Sequence, residues 1–88
     1  MPWFALRQII EEESFEGDKR RVGPDAKRLD AILEAIWLRL SRNAESGEPI
    51  PGSDLYVVVT SAFPDAPALG ITYRFDDERV YLMGVELD

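Results

Sequence analysis

The sequence predicts an α+β fold of order β-α-α-β-β-β, an antiparallel sheet with two N-terminal helices packed on one face. Three observations carry that expectation. Leu29, Ile32, Leu33, Ile36 and Leu40 recur at helical spacing and make one apolar stripe. Leu69, Ile71, Tyr73 and Phe75 alternate with Gly70, Thr72 and Arg74, the period of a strand buried on one side. Leu55 to Thr60 is a β-branched run of strand length.

Taken in chain order, the opening segment Trp3 to Glu12 fits two periods. Phe4, Leu6 and Ile10 suit a strand, whereas Leu6, Ile9 and Ile10 suit a helix. The order of the later elements favours the strand. Ser14 to Val22 is a short helix with Phe15 and Val22 on a shared face, weakened by Gly17 at about 1 kcal/mol relative to alanine. Gly23-Pro24-Asp25 starts the long helix, because proline suits the first helical position and an acid suits the positive end of the helix dipole. Asn43 to Gly47 ends it with turn formers. The loop from Gly47 to Gly52 is stiffened by Pro49 and Pro51, and Ser61 to Pro67 is long for a hairpin connection. Asp76-Asp77-Glu78 reads as a turn, and Val80 to Leu87 as the last strand.

A chain of 88 residues is expected to form a single domain over 1–88 with a thin core. It contains no cysteine and no histidine, which excludes disulfides and Cys/His zinc sites. A partner protein or a second copy of the chain is the remaining common source of stability. The formal net charge of −7 argues against a nucleic-acid-binding surface and suits solubility. The apolar opening MPWFALRQII runs into Glu11, Glu12 and Glu13, without a basic segment or a small-residue cleavage site. No apolar run approaches the ~20 residues that span a bilayer. A cytoplasmic location is expected.

Three stretches carry a resemblance. FEGDKRRV (Phe15 to Val22) resembles a first helix of one aromatic followed by basic residues. LDAILEAIWLRLSRNAESGEPIP (Leu29 to Pro51) resembles a second helix and the turn into a sheet. YRFDDERVYL (Tyr73 to Leu82) resembles a hairpin of tyrosine, acidic turn and hydrophobic strand. Together they make the chain similar to the RelE/ParE toxin superfamily, over nearly its whole length and through mainly structural motifs. The resemblance implies a toxin of a bacterial toxin–antitoxin module, of the kind associated with plasmid stabilization. It implies an antitoxin partner, and the ribosome or DNA gyrase as target. It implies no cofactor.

Some members of that superfamily cut messenger RNA, and this chain departs from them where the chemistry sits. Cleavage through the 2′-hydroxyl needs a group that activates the hydroxyl, cations for the phosphorane-like transition state, and a donor for the leaving oxygen. The resemblance places those groups on basic and aromatic residues of the sheet. Here the first central strand reads Tyr56-Val57-Val58-Val59, the arginine expected at the start of the next strand falls on Gly70, and the last stretch reads Gly84-Val85-Glu86-Leu87-Asp88. Losing one such electrostatic contact costs roughly 3–4 kcal/mol in the transition state. The expectation is therefore a protein-binding toxin or toxin-like protein that does not cleave RNA. Two alternatives stand beside it: a non-toxic interaction module of the same fold, and a ribosome-dependent ribonuclease with a rearranged site.

No catalytic residue stands out. Arg74 and Arg79 are the weak candidates, with cross-strand pairing to Asp76, Asp77 or Glu78 as the structural reading. Lys19, Arg20, Arg21, Lys27 and Arg28 form the only basic cluster, able to meet nucleic acid or an acidic partner, or to be a solvated helix face. Glu11, Glu12, Glu13, Glu16 and Asp18 lack the rigid spacing of a metal site and read as a solvated charge run. Tyr56, Tyr73 and Tyr81 read as sheet residues. Trp37 and Leu38 cannot both join one narrow stripe, so Leu38 either packs under the short helix or marks a contact surface for a partner or a second copy.

Overall fold

The computed structural model describes residues 6–22, 26–60 and 68–87, with backbone alone at 26–28. The elements are β1 (Gln8–Glu11), α1 (Glu13–Val22), α2 (Ala26–Arg42), a 3₁₀ turn (Ala44–Ser46), β2 (Glu48–Pro49), β3 (Tyr56–Val59), β4 (Leu69–Phe75) and β5 (Arg79–Leu87). The five strands form one sheet in the order β1-β5-β4-β3-β2. The Gly23-Pro24-Asp25 helix start, the Ser61 to Pro67 loop and residues Trp3, Phe4 and Asp88 lie outside the described residues.

The core forms where the two predicted periodicities meet. All of Leu29, Ile32, Leu33, Ile36 and Leu40 on α2 are buried, as are Leu69, Ile71 and Tyr73 on β4. Fully burying such a side chain stabilises by about 1.5–3 kcal/mol, which makes the stripe the main force seating α2 on the sheet. Phe15 is fully buried, with Val22 packed at the margin of the core, so α1 forms despite Gly17. On β5, Val80, Leu82 and Val85 complete the core. The change of parity after Leu82 comes from a bulge: Thr72 pairs with Gly84 but Tyr73 pairs with Leu82, leaving Met83 unpaired.

The sheet differs from the expected antiparallel one in two ways. The opening segment is a strand, but β1 pairs with β5 in parallel, Ile9 with Val80 and Ile10 with Tyr81. The chain passes through both helices and three strands before β5 closes against β1, a connection long enough for a parallel pair. In addition, the proline-bearing loop contributes β2, an edge strand pairing Glu48 with Val57 and Pro49 with Tyr56. Proline is tolerated there because an edge strand need not donate on its outer side.

Three local devices hold the elements together. The Tyr73 hydroxyl donates to the Ala44 carbonyl at 2.6 Å and accepts from the Gly47 amide at 3.0 Å, tying the 3₁₀ turn to β4. A Cβ on Gly47 would overlap that hydroxyl and sit 2.8 Å from the Val57 carbonyl, so the close approach requires glycine. Thr60 exchanges bonds with Leu69, its amide donating to the Leu69 carbonyl at 2.8 Å and its Oγ1 accepting from the Leu69 amide at 3.1 Å. At the β4–β5 turn, Asp76 Oδ1 accepts from the amides of Glu78 at 2.8 Å and Arg79 at 2.7 Å. No helix among the described residues is long and apolar enough to cross a membrane.

Candidate functional site

The two faces of the sheet are unlike. One carries the core and both helices. The other, set by alternation, bears Val57 and Val59 on β3, Gly70, Thr72 and Arg74 on β4, and Arg79, Tyr81, Gly84 and Glu86 on β5. That second face is where a ribonuclease of the kind considered above would gather its cations. Gly70 is flanked by Val59 and Glu86, and Gly84 stands opposite Thr72. Tyr56 is on the other face, its ring 5.8 Å from that of Tyr73 and 5.0 Å from Phe75.

Arg74 and Arg79 share the open face with Tyr81. The Arg74 guanidinium lies 4.1 Å from the centre of the Tyr81 ring, a cation–π contact that orients the cation without neutralising it. The Tyr81 hydroxyl donates to Asp76 Oδ2 at 3.2 Å. Hydrogen bonding to Tyr81 holds the Arg79 guanidinium above its ordinary pKa, and the Glu78 and Arg79 amides hold the Asp76 carboxyl below its own. The expected ion pairing of these arginines with Asp76, Asp77 or Glu78 is absent among the described residues. The Asp76 carboxylate is occupied by backbone amides, and the Tyr81 ring takes Arg74 instead. Two arginines and one tyrosine gathered there are enough to hold an anion.

The basic cluster on α1 is partly neutralised. Lys19 Nζ pairs with Glu11 Oε1 at 3.2 Å, and Arg21 pairs with Asp18. Arg20 is exposed. The side chains of Lys27 and Arg28 lie outside the described residues. Glu11 and Asp18 are thus committed to cations, and no three carboxylates converge to hold a metal among the described residues.

A third region was only partly legible in the sequence. Between β1 and the outer side of α2 lies a groove of about 580 Å³, lined by Leu6, Ile9, Ala31, Ala35, Trp37 and Leu38, with Arg7, Glu34 and Ser41 at its polar margin. Leu38 is 50% exposed and Leu6 55%, so the groove presents large apolar side chains to solvent. Leu38 therefore marks a surface. Trp37 lines the same groove, and its Nε1 is buried without a hydrogen-bond partner. Arg7 was not anticipated. Its amide donates to the Ser41 carbonyl at 3.0 Å and its Nε to the Asp76 carbonyl at 2.8 Å, and its guanidinium lies 5.2 Å from the centre of the Phe75 ring. It fastens the groove wall to the hairpin. The only sequence signal for it was a lone cation in an apolar run.

The fold has a solved counterpart. The crystal structure of the toxin–antitoxin complex RelBE2 from Mycobacterium tuberculosis contains a chain that superposes with a TM-score of 0.73 over 98% of this chain and 95% of that one, at 16% identity. This is a RelE-like fold. Neither a protein-family model nor a curated protein sequence matches the chain. The RelE-like architecture is thus shared at the level of backbone.

Proposed function

We propose that this chain is the toxin-like component of a bacterial toxin–antitoxin module, acting in the cytoplasm by binding a protein target and not by cutting RNA. The observation that carries the reading is the pairing of a RelE-like backbone with an open sheet face whose centre is Val57, Val59, Gly70, Thr72 and Gly84. A phosphorane transition state at Gly70 would meet Glu86 and Val59 and no cation from the paired positions. The partner is an antitoxin, and its apolar segment lies in the groove of Leu6, Trp37 and Leu38. An amphipathic helix laid into a groove of this size would cover the exposed Leu6 and Leu38. The exposed Arg20 on α1, with Lys19 and Arg21 beside it, is the surface for its acidic flanks. The ribosome and DNA gyrase are the two candidate targets.

The test is growth of a bacterial host after tightly induced expression of the chain alone, with ribosome-bound RNA and plasmid supercoiling sampled together. Arrest with intact RNA is expected. Cut RNA that persists when Arg74 and Arg79 are intact and vanishes in R74A/R79A would instead establish a rearranged ribonuclease. Normal growth with abundant folded protein favours the second reading, a non-toxic interaction module, which the same neutral and acidic open face supports.

A further inference from the structure

The open sheet face is polarised along its strands. At one end Glu86 stands beside Gly70 and Val59. At the other, Arg79 stands beside Gln8, and Arg74 lies against Tyr81. Between them the central positions are apolar or small, with the exposed Glu48 on β2 at the margin beside Val57. Val57 pairs with Thr72 and Thr72 with Gly84, while Ile10 pairs with Tyr81. Val59 is 48% exposed, whereas Gly70 is buried, the nearest atom to a Cβ there being Glu86 Cγ at 3.9 Å.

Such a face is complementary to itself. A half-turn about an axis lying in the face and perpendicular to the strands brings the acidic end of one copy over the cationic end of the other. Glu86 of each copy then stands over Arg79 of its partner. The two residues belong to one strand, Arg79 opening β5 and Glu86 next to its end, roughly 20–23 Å apart at ~3.3 Å per residue. Two equivalent ion pairs would bracket the apolar centre. Sheets packed face to face sit about 10 Å apart, close enough for Val57, Val59 and Tyr81 to interdigitate across the axis.

We infer that the open sheet face is an interface between two copies of this chain, packed sheet on sheet with Arg79 and Glu86 as reciprocal ion pairs. The face measures roughly 19 Å by 23 Å, or on the order of 450 Å² per copy, below the ~800 Å² per partner of a standard interface. The dimer is accordingly weak and salt-sensitive. It uses the side of the sheet away from the Leu6–Leu38 groove, so it stands independently of the antitoxin reading. An antitoxin and a second copy can be bound together.

Sedimentation equilibrium of the full chain, from low micromolar to near-millimolar concentration, tests this. A monomer–dimer equilibrium is expected. R79E or E86R alone should weaken it by about tenfold or more through like-charge juxtaposition. R79E/E86R in the same chain should recover the native affinity, because the reversed charges again face each other. Val59→Asp should weaken the dimer whatever the charges do. Circular dichroism of each variant guards against unfolding, and both charged positions are exposed. Three results would overturn the inference: a monomer at all concentrations, a double variant no tighter than the singles, or a dimer abolished by Leu38→Glu but indifferent to Arg79 and Glu86.

Discussion

The Asp18 side chain on α1 stands in for a missing strand at the edge of β5, its Oδ2 accepting from the Val85 amide at 3.2 Å. β1 pairs with β5 only as far as Leu82, and the Glu12 amide makes the last backbone bond, to the Leu82 carbonyl at 3.0 Å. Beyond that point α1 supplies side chains. Ser14 Oγ donates to the Met83 carbonyl at 2.6 Å, and Asp18 receives Val85. The exposed edge that would invite another strand is thereby closed.

Asp18→Ala is therefore expected to destabilise the fold by about 1.5–3 kcal/mol, the usual contribution of a hydrogen bond to a charged group. Asp18→Asn, which keeps an acceptor, should cost less. Urea denaturation measures both. Gly84→Ala probes the same contact from the other side, because its Cβ would lie 3.0 Å from Asp18 Oδ2. Its cost should shrink in the Asp18→Ala background.

Tyr73→Phe removes a fully buried hydroxyl with two backbone partners and should cost about 1–3 kcal/mol, leaving the Gly47 amide and Ala44 carbonyl without it. Burial also raises the Tyr73 pKa above its ordinary value of 10.0. The folded state then holds the proton more tightly than the unfolded state, so stability falls as the pH rises above that value. The alkaline slope of stability between the two pKa values should be shallower in Tyr73→Phe, a comparison read from urea midpoints at successive pH.

Asp76 gives the opposite sign. The Glu78 and Arg79 amides depress its pKa below 3.8, so its contribution is present above that pH and is lost as acid protonates it through the lowered folded value. The carboxyl resonance of Asp76 should titrate below that of a free aspartate, and the Glu78 and Arg79 amide shifts should move with it. Asp76→Asn should keep the turn while abolishing that titration, since the amide oxygen still accepts.

Leu38→Glu should leave stability within about 0.5 kcal/mol, as an exposed substitution does, while weakening antitoxin binding by at least about tenfold. Calorimetry with the purified pair reads the affinity, and a thermal melt of the chain alone reads the stability. Equal affinity would move the antitoxin elsewhere.

Gly70→Arg should fold, because the position has room for a side chain. It should not by itself restore ribosome-dependent cleavage, since Val57, Val59 and Gly84 leave the neighbouring positions without a cation and place Arg74 and Arg79 toward the other end of the face.

Much of the fold was legible in the residues themselves. The Leu29–Leu40 stripe and the Leu69–Phe75 alternation each announce a local period, and each proved to be one element with the expected face toward the core, while the acidic Asp76-Asp77-Glu78 stretch proved to be an exposed turn. Local period is readable because it is set by backbone geometry within a few residues.

Tertiary structure decided what depends on distant partners. The direction of β1 followed from its landing beside β5, not from anything in Gln8 to Glu11. Leu38, off the stripe of its own helix, acquired meaning only when Leu6 and Ile9 were placed across from it. Arg74 had charges nearby in sequence and took the Tyr81 ring across the hairpin instead, because backbone amides had already claimed Asp76. Contacts of this kind are fixed by the register of strands and the docking of helices, which emerge from the packing of the whole chain and leave no short-range trace.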